Sequence, residues 1–268
     1  MTAPFPPSMW AASAAARVSA PKLRDVAEAD AVVIGAGFSG LSTALHLARR
    51  GLGVVVLEAN AVGWGASGRN NGQVIPTLTA AEPDGMVAKY GDAGARLAKL
   101  VGGSADYLFQ VAREEGIMEI AEAEQSGWFQ PAHAPGRIRL SEKRVAAWNR
   151  HGFPAEMLDR KAATDLLGTD FWYGGMYNPT GGHINPLGLA RGLALAAERH
   201  GAVIHEDSPV TEWKREGDFW RVKTPDGEVK ARALVLATNA YTDHITANLA
   251  PKLSRTVVPV LSWQMATE

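Results

Sequence analysis

From Ala31 to Ile34 the chain is continuously apolar and then runs into glycines, the pattern of a buried strand ending in a turn. Leu41, Ala44, Leu45 and Ala48 follow at helical spacing, and Gly51 is placed to end that helix. "GVVVLE" is a second buried strand that ends at Glu58. This β-α-β order with a short crossover predicts parallel strands and a right-handed connection. From Gly91 to Gly116 the spacing is helical again, through Leu97, Leu100, Val101, Leu108 and Ala112. "GWFQPAHAPGRIRL" reads as strand, turn, strand, and "SEKRVAAWNRHG" and "DRKAATDLLG" as short helices. "GGMYNPTGGHINP" is turn-rich, and "PLGLARGLALAAERHG" is a helix closed by Gly201. Asn185 suits its N-cap and Pro186 its first helical position. Several strands follow up to Thr238, with Asp226-Gly227 as a hairpin turn. Residues 1–28 read as an extension of little regular structure, with Trp10 as its candidate anchor.

Gly35-x-Gly37-x-x-Gly40 falls between the first predicted strand and its helix. In that context Gly35 permits the tight turn, Gly37 lets a pyrophosphate approach the backbone, and Gly40 lets helix and strand pack closely. The helix N-terminus would offer N–H groups and a positive dipole end to phosphates. Glu58, at the end of the next strand, can accept hydrogen bonds from ribose hydroxyls. It would repel a 2′-phosphate, and no arginine stands at Ala59 or Asn60, so NADP is disfavoured. These residues point to a dinucleotide and leave NAD and FAD both open.

Composition narrows the chemistry. The net charge is −1 and no basic cluster is interleaved with aromatics, which argues against nucleic acid. The chain has no cysteine, which excludes disulfides, iron–sulfur clusters, cysteine-ligated zinc and a thiol nucleophile within it. Its seven histidines do not cluster at metal-ligand spacing, so no metal site is expected. There is no Gly-x-Ser-x-Gly elbow, no His-Glu-x-x-His and no P-loop. The N-terminus lacks a basic stretch leading into an apolar core, and no apolar run approaches the ~20 residues of a membrane span. The expectation is a soluble, cytoplasmic protein.

A second glycine-rich stretch, "GWGASGRNNGQ" (63–73), follows the second strand. With it, "VVIGAGFSGLSTALHLARRGLGVVVLEANAVGWGASGRNNGQVIP" resembles the opening of the FAD-dependent amine and D-amino-acid oxidase (DAO) family. The nearest likeness is to γ-glutamylputrescine oxidases, and "SMWAASA" is similar to that subgroup's leader. The resemblance is strong over 30–76, moderate over 171–242 and weak between. It implies an α/β fold: a Rossmann-like, glutathione-reductase-like FAD-binding domain, interrupted by part of a mixed or antiparallel substrate domain.

The resemblance also implies a set of cofactor contacts. Phe38 and Ser39 would contact the pyrophosphate beside Gly35, Gly37 and Gly40, and Glu58 and Ala59 would flank the ribose. Ala66 and Ser67 would meet the phosphates, and Asn71, Gly72 and Gln73 would pass beside the flavin. Arg69 would pair with phosphate or brace the loop. Val210 would hold the adenine, and Ala237 and Thr238 would lie beside the dinucleotide. Asn71 departs from relatives, which carry a smaller residue there. Some relatives attach FAD through a histidine where Arg69 stands here, and others through a cysteine, so the cofactor is expected to be non-covalent FAD.

The expected segments are an extension (1–28), FAD-binding parts (29–90 and 171–245), a substrate or cap region (91–170), and the start of a substrate domain (246–268). Val258, Val260, Trp263 and Met265 read as a strand entering that domain, and family members continue beyond it, so the chain reads as the N-terminal part of a longer enzyme. The expected activity is oxidation of a C–N bond in a small amine or amino acid, with imine hydrolysis and reoxidation by oxygen to peroxide. A dehydrogenase using another acceptor, and a non-catalytic nucleotide-binding fragment, are the alternatives. No catalytic residue is assigned, His183 reads as structural, and the oligomeric state is open.

Overall fold

The computed structural model describes residues 4–78, 81–245, 250, 256–258, 260 and 262. In chain order, α1 (Met9–Ser13), β1 (Val26–Ile34), α2 (Phe38–Ala48) and β2 (Val54–Leu57) come first. A middle stretch holds β3 (Gln73–Val74), α3 (Pro83–Tyr90), α4 (Asp92–Gly102), α5 (Ser104–Glu114), β4 (Trp128–Pro131), α6 (Pro135–Arg150), β5 (Glu156–Leu158), α7 (Arg160–Leu167), β6 (Gly175–Asn178) and β7 (Gly182–His183). Then come α8 (Pro186–Arg199), β8 (Val203–His205), β9 (Glu212–Glu216), β10 (Phe219–Lys223), β11 (Glu228–Leu236) and α9 (Thr242–Ile245). Two compact units result: 1–71 with 185–268, and 72–184. The expected joins at 90/91 and 170/171 both lie inside the second unit.

The first unit is built on a six-stranded sheet in the order β8-β2-β1-β11-β10-β9. β1 pairs in parallel with β2 (Val32 opposite Val55, Ile34 opposite Leu57) and with β11 (Ile34 opposite Leu236), and β2 pairs in parallel with β8. β10 runs antiparallel to both β11 and β9. All four residues of β2 are buried, as are the last four of β1, as expected of parallel strands covered on both faces. Val32, Ile34, Val55 and Leu57 join Val222, Val229 and Leu23 in one apolar cluster. Leu41, Ala44, Leu45 and Ala48 are the buried stripe of α2, as the spacing predicts, and α2 packs beside α8.

β1 starts at Val26, five residues before the expected strand, because Ala27 and Ala29 alternate onto the same cluster. The N-terminal stretch is also more ordered than its composition predicts. It forms α1, capped by the Ser8 side chain accepting from Ala11 N–H, and it places Leu23 in the core.

The second unit holds the antiparallel sheet β4-β6-β5, the pair β3-β7 and helices α3–α7. Its core gathers Met86, Ala98, Trp148, Ala155 and Met176. The expected strand-turn-strand over 127–140 is half right. Trp128–Pro131 is a strand, but Pro135 opens α6, which absorbs the second expected strand and the helix after it. Proline at the first helical position fixes φ for a helix, and the buried Ser141, Arg144, Ala147 and Trp148 recur at helical spacing. The helical stretch from Gly91 to Gly116 is two helices that meet at Gly103. Of the expected last strand, Val258 and Val260 are exposed, and Trp263 and Met265 lie outside the described residues. Among the described residues, no helix is long and apolar enough to cross a membrane.

Candidate cofactor site

The carboxyl ends of β1, β2 and β11 converge on one cavity in the first unit, the place where open α/β sheets bind ligands. Gly35 N–H donates to Leu57 O at 2.8 Å, and Ala237 N–H donates to Ile34 O at 2.9 Å, so the three strand ends are locked together. Gly35 has φ +103°, and a Cβ there would lie 2.7 Å from Ala237 O, so the turn accepts only glycine. A Cβ on Gly40 would lie 1.9 Å from Gly35 O, which is how closely α2 rides on the turn. A Cβ on Gly37 would meet only a side chain, Ser67 Oγ, at 2.8 Å.

The 63–71 segment folds back onto this turn. Gly63 N–H donates to Ala36 O at 3.0 Å, and Phe38 N–H, in the first turn of α2, donates to Ser67 Oγ at 3.0 Å. Gly37, the N-cap, has no side chain to cap the helix, so Ser67 supplies a cap from a distant part of the chain. Arg69 Nε donates to Gly65 O at 3.1 Å, Arg69 Nη2 donates to the Tyr241 hydroxyl at 2.6 Å, and the guanidinium lies over Trp64, 5.2 Å from its ring centre. Trp64 and Tyr241 pack edge to face at 5.9 Å. Of the two roles expected for Arg69, this geometry is that of the brace. Asn70 Nδ2 donates to Ser67 O at 2.9 Å, a second brace.

Glu58 closes the opposite end. Its Oε2 accepts from Ala36 N–H at 2.8 Å and its Oε1 from Asn60 N–H at 2.9 Å. Burial pushes the carboxyl above its ordinary value of 4.5, and the nearby Glu206 carboxylate adds to this, while the backbone N–H groups pull the other way. A carboxylate has about four lone-pair positions, so the N–H groups of Ala36 and Asn60 and the weaker one of Ala59 leave capacity for a hydroxyl donor.

The cavity between these elements is open to solvent at its mouth. Nine expected residues line it: Gly35, Gly37, Glu58, Ala59, Ala66, Ser67, Val210, Ala237 and Thr238. Phe38, Ser39 and Gly40 form the first turn of α2 beside it. Arg69 does not line it but bonds to Tyr241, which does, and Asn71 is exposed. Gly72 and Gln73 belong to the second unit, where Gly72 O accepts from Ile184 N–H at 2.8 Å and Gln73 Oε1 accepts from Trp128 Nε1 at 3.0 Å. Trp64, Tyr241, Asn239 and Thr242 line the cavity without having been expected. Tyr241 and Thr242 follow the strand that was expected to reach the dinucleotide, but one aromatic there is no signal until it meets Arg69. Asn185 caps α8 as expected, its side chain accepting from Gly188 N–H. His183 sits on β7 with Nε2 3.6 Å from Glu124 Oε2, both side chains largely exposed.

The model of the FAD dependent oxidoreductase (DAO) family matches residues 30–268. The chain belongs to the DAO family. It is 33% identical over 257 residues to the probable oxidoreductase OrdL of Haemophilus influenzae, covering 92% of this chain and 57% of that protein. It is 32% identical over 271 residues to the gamma-glutamylputrescine oxidoreductase of Escherichia coli, covering 97% of this chain and 60% of that protein. The glycine oxidase structure from Geobacillus kaustophilus superposes with a TM-score of 0.69 at 22% identity, covering 82% of this chain and 57% of that one, which is a likeness of fold. The chain thus spans 57–60% of the length of these curated relatives. The DAO family is FAD-dependent, and the glycine cradle, the helix N-terminus and the Glu58 carboxylate at the cavity fit that cofactor.

Proposed function

We propose that this cavity is the adenosine and pyrophosphate part of an FAD site, and that the chain is the cofactor-binding portion of an enzyme that oxidises a C–N bond in an amine or amino acid. The observation that supports it most is the convergence of Gly37, Ser67 and Glu58 on one cavity at the carboxyl ends of parallel strands. Glu58 accepts from a ribose hydroxyl, Gly37 and the first turn of α2 take the pyrophosphate, and Val210 lies against the adenine. Ser67 holds a first-turn N–H of α2 and yields it, or shares it, when phosphate arrives. Trp64 and Tyr241, held by Arg69, wall the cavity from water. Bound FAD supplies the two-electron acceptor. The cofactor is held without a covalent bond, since Arg69 stands where some relatives carry a linking histidine and this chain has no cysteine.

Purified protein titrated with FAD tests the reading. The expected result is saturable binding, with all flavin released to the supernatant on denaturation. Absence of binding overturns the site, and flavin retained on the denatured chain overturns the non-covalent part. Amines of the gamma-glutamylputrescine type and simple amino acids are the substrates to try with full-length enzyme. Peroxide release identifies oxygen as acceptor, whereas turnover only with an added dye identifies a dehydrogenase.

A further inference from the structure

Residues 4–24 precede the stretch matched by the family model, yet they are bonded into the first unit along their length. Trp10 Nε1 donates to Asn70 O at 2.8 Å, and Pro4 O accepts from Trp64 Nε1 at 3.1 Å, so two bonds join this segment to both ends of the 64–70 loop. The Arg17 side chain is 5% exposed, between Glu198 at 2.6 Å and Glu206 at 3.4 Å. Glu206 Oε2 also accepts from Ala20 N–H, and its Oε1 accepts from Val62 N–H, each at 2.6 Å. One buried carboxylate therefore joins the N-terminal segment to the residue that enters the loop.

The loop has a physical need for outside support. Gly63, Gly65 and Gly68 make it costly in conformational entropy to order. It nonetheless supplies Trp64, Gly65, Ala66 and Ser67 to the cavity wall. A loop ordered beforehand spares the ligand that cost.

We propose that residues 4–24 are a strap that holds the 62–70 loop in its cofactor-binding shape, with Trp10 and Arg17 as positioning residues for FAD that do not themselves line the cavity. This rests on the cavity being the FAD site. By reciprocity, FAD must tighten the strap as much as the strap tightens FAD.

Trp10→Phe keeps a ring and removes the indole N–H that reaches Asn70. Arg17→Met removes the ion pairs with Glu198 and Glu206. Met176→Ala trims the core of the second unit, whose buried cluster holds no residue of strap, loop or cavity, and controls for lost stability. The measurements are the FAD dissociation constant and amide hydrogen exchange of residues 4–24 and 62–70, with and without FAD. The expected result for Trp10→Phe is a roughly three- to ten-fold weaker FAD affinity, the scale of one hydrogen bond, with faster exchange over 62–70 in the apo protein. Met176→Ala keeps its affinity, and FAD slows exchange in the strap of the wild type. If Arg17→Met does not fold, Trp10→Phe decides alone. Wild-type binding with equal affinity in Trp10→Phe overturns the strap's role. Absence of wild-type binding overturns the cavity reading and this proposal with it.

Discussion

Gly37 and Gly40 differ in what stands in front of a new methyl group. At Gly40 it is the backbone oxygen of Gly35 at 1.9 Å, which cannot move without unseating the turn. At Gly37 it is the Ser67 hydroxyl at 2.8 Å, which can rotate away. Gly40→Ala is therefore expected to destabilise the apo protein by about 1–3 kcal/mol or more. Gly37→Ala is expected to fold with nearly wild-type melting temperature and to lose FAD. Thermal unfolding and FAD titration of both variants separate the two, and a stable, FAD-binding Gly40→Ala would sink the argument. Both glycines were legible, because the fingerprint reports a backbone requirement that no other residue meets. Glu58 was legible as a candidate ribose partner at the end of β2, but its backbone donors and its burial were not. Because burial raises its pKa, the folded chain keeps the Glu58 proton to higher pH than the unfolded chain. The stability Glu58 contributes is full below the ordinary value of 4.5 and is lost as pH rises through the raised one. Wild-type apo protein should thus lose stability relative to Glu58→Gln as pH rises above the ordinary value of 4.5 in thermal unfolding. The opposite trend would mean that the Ala36 and Asn60 N–H groups outweigh burial. With FAD, Glu58→Gln should bind roughly ten-fold more weakly or worse, from loss of charged hydrogen bonds.

At the scale of elements, the helix starts show what a sequence can carry. α7 and α8 announce their own caps, Asp159 accepting from Ala162 N–H and Asn185 from Gly188 N–H. α2 does not, since its cap Ser67 lies 29 residues from Phe38 and becomes one only when the loop folds back. The same limit hid the strap, whose Pro- and Ala-rich composition gives no sign that Arg17 will be buried between two glutamates. In α6 the apolar positions were sparse enough to read as a strand, and the three bonds of the buried Arg144 to Glu82, Gln130 and Leu78 were invisible. A paired substitution tests the distinction. Asp159→Ala and Ser67→Ala should each cost about 1 kcal/mol of stability, the usual value of a cap. Only Ser67→Ala should also change FAD affinity, because only that cap stands at the cavity. An equal affinity in both would remove Ser67 from the site.

The whole molecule divides where the sequence offers least guidance. Asn71 and Gly72 stand inside one glycine-rich run, so composition does not change across the join, and the break is set by pairing far away in sequence. β3 bonds to β7, and Gly72 O accepts from Ile184 N–H, which places everything from 72 to 184 in the second unit. Every residue lining the cavity lies in the first unit. A ligand that binds only the folded state stabilises it by RT ln(1 + [L]/Kd), about 2.7 kcal/mol at 100-fold excess over Kd. That stabilisation acts on whichever openings expose the site. FAD is therefore expected to slow amide exchange strongly in 4–71 and 185–245, with the largest effect at the start of α2 and over 62–70. Exchange in 72–184 should slow far less, since opening that unit leaves the cavity lining intact. Amide exchange of the whole chain with and without saturating FAD measures this directly. Equal protection of both stretches would show that the two units open together, and that the cavity depends on the second unit as much as on the first.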